Sequence, residues 1–283
     1  MPDPIHVPLD WNTLSYRALN EDLSPGQRWS TWGSVERSCR GPQPWPDWLV
    51  TSAEALDTEL GVLKSGKEAD VVLLERAVPS DPAQSCLLAA KRYRNSEHRM
   101  FHRDAGYTEG RRVRNSRDGR AMVRKSEFGR SVASGLWAAS EWTALNRLFD
   151  AGVPVPYPVQ LDGSEILMEY LAEGDAAAPR LQQLRPTFPQ LATLFDQLLA
   201  ALHTMTGLGV VHGDLSPYNI LVAGGEDPRA VIIDVPQLVD LVANPNAVEF
   251  LHRDCTNVAA WFTSRGLPVD ADEVLAELLA HAW

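Results

Sequence analysis

Eight consecutive residues, His212-Gly213-Asp214-Leu215-Ser216-Pro217-Tyr218-Asn219, hold a carboxylate and a carboxamide five positions apart. That spacing suits phosphoryl transfer from a nucleoside triphosphate, a reaction that asks little covalent chemistry of the protein. It needs cations to hold the phosphates, oxygen ligands to hold Mg²⁺ and a carboxylate to accept the proton of the attacking hydroxyl. In H-x-D-x-x-x-x-N the Asp is the proton acceptor and the Asn a metal ligand, which assigns the first role to Asp214 and the second to Asn219. A second metal-binding Asp should end a nearby strand, and Asp234 follows the apolar run Val231-Ile232-Ile233. Lys91 ends the apolar run Cys86-Leu87-Leu88-Ala89-Ala90, where a phosphate-pairing lysine belongs, and Glu141 lies in a helical pattern downstream, where its bracing carboxylate belongs. Taken singly, Asp and Asn are mostly turn and cap residues and Glu is mostly solvated. A carboxylate at the end of a buried strand is less ordinary, because its burial has to be offset by a partner or a metal. The order of the five residues carries the argument.

Three near-matches fail on context. Gly61 to Glu68 approaches a phosphate-binding Walker loop, but Glu68 stands where a Ser or Thr hydroxyl would meet the metal, and a strand-like segment follows. His102-Arg103-Asp104 has no Asn five residues on, and His252-Arg253-Asp254 has Asn257 at plus three on an apparent helix. Neither triplet can form the catalytic loop.

The elements that must position these residues show in the patterning. Leu60 to Leu63 reads as a strand, Lys64 to Glu68 as a turn and Ala69 to Leu74 as the return strand. Ser134 to Phe149 has helical spacing, with Leu136, Trp137, Trp142, Leu145 and Leu148 available for an apolar face. Ile166 to Tyr170 is a short strand, and Leu191 to His203 and Ala271 to His281 are helices. Residues 1–47, rich in Pro and Trp without a period, read as an irregular N-terminal extension.

The chain has 283 residues and a net charge of −11, ordinary for a globular protein and contrary to one that coats nucleic acid over its whole surface. The charge is uneven. Twelve Lys or Arg between Arg92 and Arg130 face five acids, a local excess of +7 that leaves −18 elsewhere. A loop over about 103–122 is expected there. With no apolar run near membrane length, no secretory pattern at Met1-Pro2-Asp3-Pro4 and three scattered cysteines, the reading is a cytoplasmic protein without a membrane partner.

Lys64-Ser65-Gly66-Lys67-Glu68-Ala69, His212 to Asn219, Ile233-Asp234-Val235-Pro236-Gln237 and Glu249 to Val258 together resemble the RIO family of atypical serine/threonine protein kinases. The match around Asp57-Thr58-Glu59-Leu60-Gly61 resembles its first subgroup, not the one with an N-terminal winged helix. The resemblance implies an α+β fold of protein-kinase-like, two-lobed form over residues 48–283. It has a small β-rich N-lobe over about 48–170 and a truncated helical C-lobe over about 171–283. It implies ATP with Mg²⁺, or Mn²⁺ in its place, and association with ribosome subunit maturation. Ser65, Gly66 and Lys67 would then lie on the phosphate-covering turn, and Lys91 on the phosphates, braced by Glu141. Met168 would sit beside the adenine, with Glu169 and Leu171 giving hinge backbone hydrogen bonds. Asp214 would be the catalytic base, and Asn219 and Asp234 metal ligands.

Val235-Pro236 replaces the Phe-Gly of ordinary protein kinases, and no Ala-Pro-Glu follows in the remaining 49 residues. Both departures argue against broad peptide phosphorylation. Three functions are weighed: a RIO-type kinase or ATPase, a small-molecule phosphotransferase of aminoglycoside or choline kinase type, and a non-catalytic nucleotide-binding scaffold. The five polar residues disfavour the third, and the small C-terminal lobe disfavours the second. For the basic stretch 92–130 the expected partner is ribosomal RNA or a ribosomal particle, and Ser116, Ser126 and Ser131 within it are candidates for self-phosphorylation.

Overall fold

The computed structural model describes residues 23–94, 127–235 and 238–282, with side chains from 133 onward in the second stretch. The first lobe is one antiparallel sheet of six strands in the order β1-β2-β3-β4-β6-β5. Its strands are β1 (Gln27–Trp29), β2 (Leu56–Ser65), β3 (Ala69–Val78), β4 (Asp81–Tyr93), β5 (Pro158–Asp162) and β6 (Glu165–Glu169). In β3, Val72, Leu74, Arg76 and Val78 alternate inward, the period of a strand with one buried face. Leu74, Leu88 and Ala90 on that side meet Trp32, Leu49, Val50 and Ala55 in a compact apolar cluster.

Arg76 takes an inward position in that pattern, and its charge is met at once. Asp57 on β2 accepts from Nε at 2.7 Å and from a terminal nitrogen at 2.9 Å, a bidentate fit that only a guanidinium makes with a carboxylate.

The N-terminal region departs from the sequence expectation. Residues 27–29, inside the stretch read as irregular, pair with Leu56–Thr58 as an edge strand. Trp32 is buried and meets Trp45 edge-on at 5.2 Å. A three-residue strand followed by Pro-rich chain is too short for periodicity to reveal. Nothing of 1–22 lies within the described residues, and the loop expected over 103–122 falls outside them too.

Between the lobes runs α1 (Glu127–Asp150), seven residues longer at its start than the pattern indicated. Its buried face is Ala138, Glu141, Trp142, Leu145 and Leu148, whereas Leu136, expected on that face, is exposed. The second lobe holds α2 (Phe188–Gly207), α3 (Ala247–Thr263) and α4 (Ala271–Ala280). Small ribbons accompany them: β7 (Ala172–Glu173) with β8 (Ala176–Ala177), β9 (Val210–Val211) with β12 (Val239–Asp240), and β10 (Ile220–Ala223) with β11 (Arg229–Ile232). Leu194, Leu198 and Leu202 of α2 pack with Leu251, Val258 and Phe262 of α3 and Leu278 of α4. Asp270 caps α4 by accepting from the N–H groups of Asp272 and Glu273. No helix among the described residues is long and apolar enough to cross a membrane.

Candidate active site

Lys91 lies two residues before the end of β4, on the face opposite Leu88 and Ala90, so it points away from the N-lobe core and toward α1. Glu141 occupies the apolar stripe of α1, where an unpaired carboxylate would be costly. The two meet: Lys91 Nζ donates to Glu141 Oε1 at 2.7 Å. Tyr93, two residues along the same strand face, donates its hydroxyl to Glu141 Oε2. Burial and the neighbouring carboxylate both raise the Tyr93 pKa, so the phenol remains a donor. Burial alone would lower the Lys91 pKa, but the charges of Glu141 and Asp234 outweigh it and hold the ammonium protonated.

Lys91 Nζ also donates to Asp234 Oδ1 at 2.7 Å, so one ammonium bridges the helix and the second lobe. Asp234 sits two residues beyond β11 with φ 63°, and among the described residues it is the one non-glycine in the left-handed region. That strained backbone carries the carboxylate out of the strand direction, a device concentrated at functional sites. Burial alone would raise the carboxyl pKa, but the charge and hydrogen bond of Lys91, then the charge of Lys64, bring it down to about 2. Lys64, not singled out for a role from the sequence, approaches Asp234 Oδ2 at 3.6 Å.

The loop bearing Asp214 is fixed by its backbone. Asp254 of α3 accepts the Gly213 N–H at 2.7 Å on one oxygen and the Leu215 N–H at 2.8 Å on the other. Arg253 donates to the Gly213 carbonyl, and Asn257 Nδ2 to the Leu215 carbonyl at 3.1 Å. His212 is buried and accepts the Asp214 N–H on Nδ1 at 3.3 Å. Asn219 Nδ2 donates to the Asp214 carbonyl at 2.9 Å, and the Asn219 carbonyl accepts from Ile233 N–H at 2.9 Å. Asn219 and Asp234 are thereby carried on adjacent chain segments flanking the β10–β11 hairpin, and the Asp214 side chain is left exposed.

His252-Arg253-Asp254 is therefore no catalytic loop, as its position on a helix indicated. Two of its three residues and nearby Asn257 instead hold the backbone of the Asp214 loop. Sequence reasoning missed that task. The signal available was a buried Asp on the apolar face of α3, beside Leu251, Cys255 and Val258.

The remaining predicted positions are more dispersed in function. Ser65 ends β2, and its hydroxyl donates to Asp70 at 2.7 Å while accepting from Arg94 at 2.8 Å, so its hydrogen is committed within the N-lobe. Gly66 N–H closes the turn on the Ala69 carbonyl at 2.9 Å, and a Cβ at Gly66 would lie 3.0 Å from that oxygen. Lys67 is exposed at the tip. Met168 pairs with Ala89 across β6 and β4. Glu169 N–H donates to the Tyr157 carbonyl and the Leu171 carbonyl accepts from Ala178, both at 2.9 Å. The hinge atoms left for a ligand are then the Glu169 carbonyl and the Leu171 N–H. Pro236 and Gln237 lie outside the described residues.

The donor set at Asp234 and Asn219 fits a divalent ion in its chemistry. Both Asp234 oxygens already face ammonium groups, so the position stabilises positive charge, and the Asn219 carboxamide oxygen is a second hard donor. Two such oxygens with phosphate and water completing the shell is the usual pattern for Mg²⁺.

Comparison with known proteins agrees with this geometry. A RIO1-type serine/threonine-protein kinase of Haloferax volcanii is 35% identical over 220 residues, 77% of this chain and 68% of that protein. The human serine/threonine-protein kinase RIO1 is 30% identical over 74% of this chain, which spans 34% of the human protein's length. The crystal structure of the Rio2 kinase from Chaetomium thermophilum aligns with TM-score 0.53 at 22% identity, over 77% of this chain and 63% of that one, which establishes the two-lobed kinase-like fold. Residues 87–274, from within β4 to the first turn of α4, match the family described as the RIO domain, and the chain belongs to that family.

Proposed function

We propose that the protein transfers the terminal phosphoryl group of ATP, as a RIO-type serine/threonine kinase or ATPase that uses Mg²⁺. The observation that carries this reading is the bridge Glu141–Lys91–Asp234, with both Nζ contacts at 2.7 Å. It joins strand, helix and second lobe at the point where phosphates and metal would meet. One solved structure lends support: the Rio2 kinase of Chaetomium thermophilum is known as an ADP/Mg²⁺-phosphoaspartate complex.

In this reading Lys91 holds phosphate oxygens, and Glu141 with Tyr93 keeps its ammonium in place. Mg²⁺, when bound to Asp234 and Asn219, would neutralise charge that develops on the phosphates. The Asp214 carboxylate, exposed on a loop whose backbone cannot shift, accepts the proton of the attacking hydroxyl or water. The Glu169 carbonyl and Leu171 N–H orient the purine beside Met168, and the Gly66 turn covers the phosphates. Relatives named Rio1 and Rio3 support the first-subgroup reading. Three free cysteines agree with a reducing, cytoplasmic setting.

The test is incubation with labelled ATP and Mg²⁺, alone, with ribosomal particles and with aminoglycosides. Label is sorted into phosphoserine or phosphothreonine, hydroxylamine-labile acyl phosphate, small-molecule product and free phosphate. Asp214→Asn is expected to keep ATP binding and lose about 10²–10⁴-fold in turnover, whereas Asp234→Ala loses the Mg²⁺ dependence of binding. Parent-like turnover by Asp234→Ala, or label moving chiefly to the aminoglycoside, would refute the reading.

A further inference from the structure

Lys64 is placed by a fault in the β2–β3 ladder. The register runs Glu59 opposite Leu74, Gly61 opposite Leu73, Val62 opposite Val72 and Lys64 opposite Val71, so Leu60 and Leu63 are both extra residues on β2. A bulge of this kind re-aims the side chain that follows it. The two bulges together restore the alternation and slide the pairing by two residues, so Lys64 keeps the sheet face it would have opposite Ala69 but stands opposite Val71.

The consequence appears one strand further on. Val71 is also the partner of Lys91 in the β3–β4 ladder, and Lys91 is the partner of Ile166 in the β4–β6 ladder. Residues directly opposite one another share a sheet face. Lys64 and Lys91 are therefore aligned in one cross-strand row on one face, two strands apart, a separation of about 10 Å between backbones. Both reach the same carboxylate, Lys91 at Oδ1 and Lys64 at Oδ2. Their surroundings differ. The Lys91 side chain is 11% exposed and held by Glu141 as well, whereas that of Lys64 is 41% exposed and has Asp234 as its one ion-pair partner among the described residues.

We infer that Lys64 is a second phosphate-binding cation of the nucleotide site, parked on Asp234 until Mg²⁺ takes that carboxylate. The inference rests on the ATP and Mg²⁺ reading above. A divalent ion on Asp234 Oδ2 repels the ammonium parked there, and Lys64 has the exposure and the flexible stem to move. With Asp234 taken by the metal, the displaced ammonium would exchange that carboxylate for a phosphate oxygen of the nucleotide. Lys91, held on its other side by Glu141, keeps its place. The triphosphate would then be met by one fixed cation and one that engages only when the metal does.

The experiment is calorimetric titration of the full chain with ATP and with adenosine, each with and without Mg²⁺, for the parent, Lys64→Met and Lys64→Arg. Lys64→Met is expected to weaken Mg²⁺·ATP binding about tenfold, the scale of one charge-assisted hydrogen bond. Adenosine binding and metal-free ATP binding should stay at parent values, and Lys64→Arg should restore most of the Mg²⁺·ATP affinity. Equal weakening of ATP and adenosine would make Lys64 a structural residue and overturn the inference. So would equal weakening of ATP with and without metal, or no weakening at all. A parent that binds no ATP under either condition would overturn the nucleotide reading and this inference together, whereas the Lys64 outcomes strike the inference alone.

Discussion

Asp254 lies 41 residues from Gly213 in sequence, yet its carboxylate accepts the Gly213 N–H at 2.7 Å and the Leu215 N–H two residues on at 2.8 Å. The two bonds straddle Asp214, so the proposed base stands on a backbone pinned on both sides. Burial pushes the Asp254 carboxyl up toward about 7, and the two N–H bonds and Arg253 oppose that rise. Asp254→Asn keeps one acceptor oxygen and turns the other into a donor facing a buried N–H. A buried donor left unsatisfied costs about 1–3 kcal/mol. The expected result is a lower Tm, a loss in kcat larger than any rise in KM for ATP, and nucleotide binding that persists. Unchanged kcat in a folded variant would separate this clamp from catalysis.

Tyr93→Phe removes the second hydrogen bond to Glu141 and leaves Lys91 as its one side-chain partner. A destabilisation of about 1–3 kcal/mol is expected from the unsatisfied carboxylate oxygen, read from denaturant midpoints at constant m. The KM for ATP should rise as Lys91 loses its brace, with adenosine affinity unmoved.

His212 gives the protein a pH dependence of definite sign. Burial depresses its pKa, and Nδ1 accepts the Asp214 N–H, which requires an unprotonated nitrogen. The folded-state pKa lies below the unfolded value of about 6.5, so the unfolded chain takes up a proton first as pH falls. Stability from this group is therefore complete above about 6.5 and is lost below it, by at most about 1.4 kcal/mol per pH unit. His212→Gln should flatten that part of the curve when urea midpoints are compared between pH 7.5 and 5.

Positive charge at the entry to the basic stretch is already spent. Arg92 pairs with Glu59 and Glu165, and Arg94 with Asp70. RNA affinity, if it resides in this stretch, has to come from the ten basic residues beyond Arg94. Deleting Arg111 to Arg124 is expected to weaken binding to ribosomal RNA and to flatten its dependence on salt, because fewer counterions are released. Filter binding at several salt concentrations measures the slope. An unaltered slope would make the stretch a solvated insertion.

The sequence disclosed the chemistry better than the supports. Asp214 and Asn219 could be picked out by their spacing on one loop, and Lys91, Glu141 and Asp234 as polar residues at the end of, or within, an apolar pattern. Tyr93 and Asp254 brace them, but a Tyr in a strand and an Asp in a helix are common, and their partners lie 48 and 41 residues away. Lys64 was hidden for a different reason: two extra residues in β2 set it opposite Val71 and in one row with Lys91, a pairing that alternation does not show. The edge strand at 27–29 was too short to leave a pattern. In each case the information lay in pairing between distant segments.

The Lys91–Glu141 contact spans 50 residues of chain, and the whole basic stretch leaves β4 just after one partner and enters α1 before the other. Topologically the ion pair is the clasp of that long excursion. The clasp is shared with the second lobe, because the same ammonium bonds Asp234 at 2.7 Å. One ammonium thus closes the excursion and ties strand, helix and second lobe at a single point.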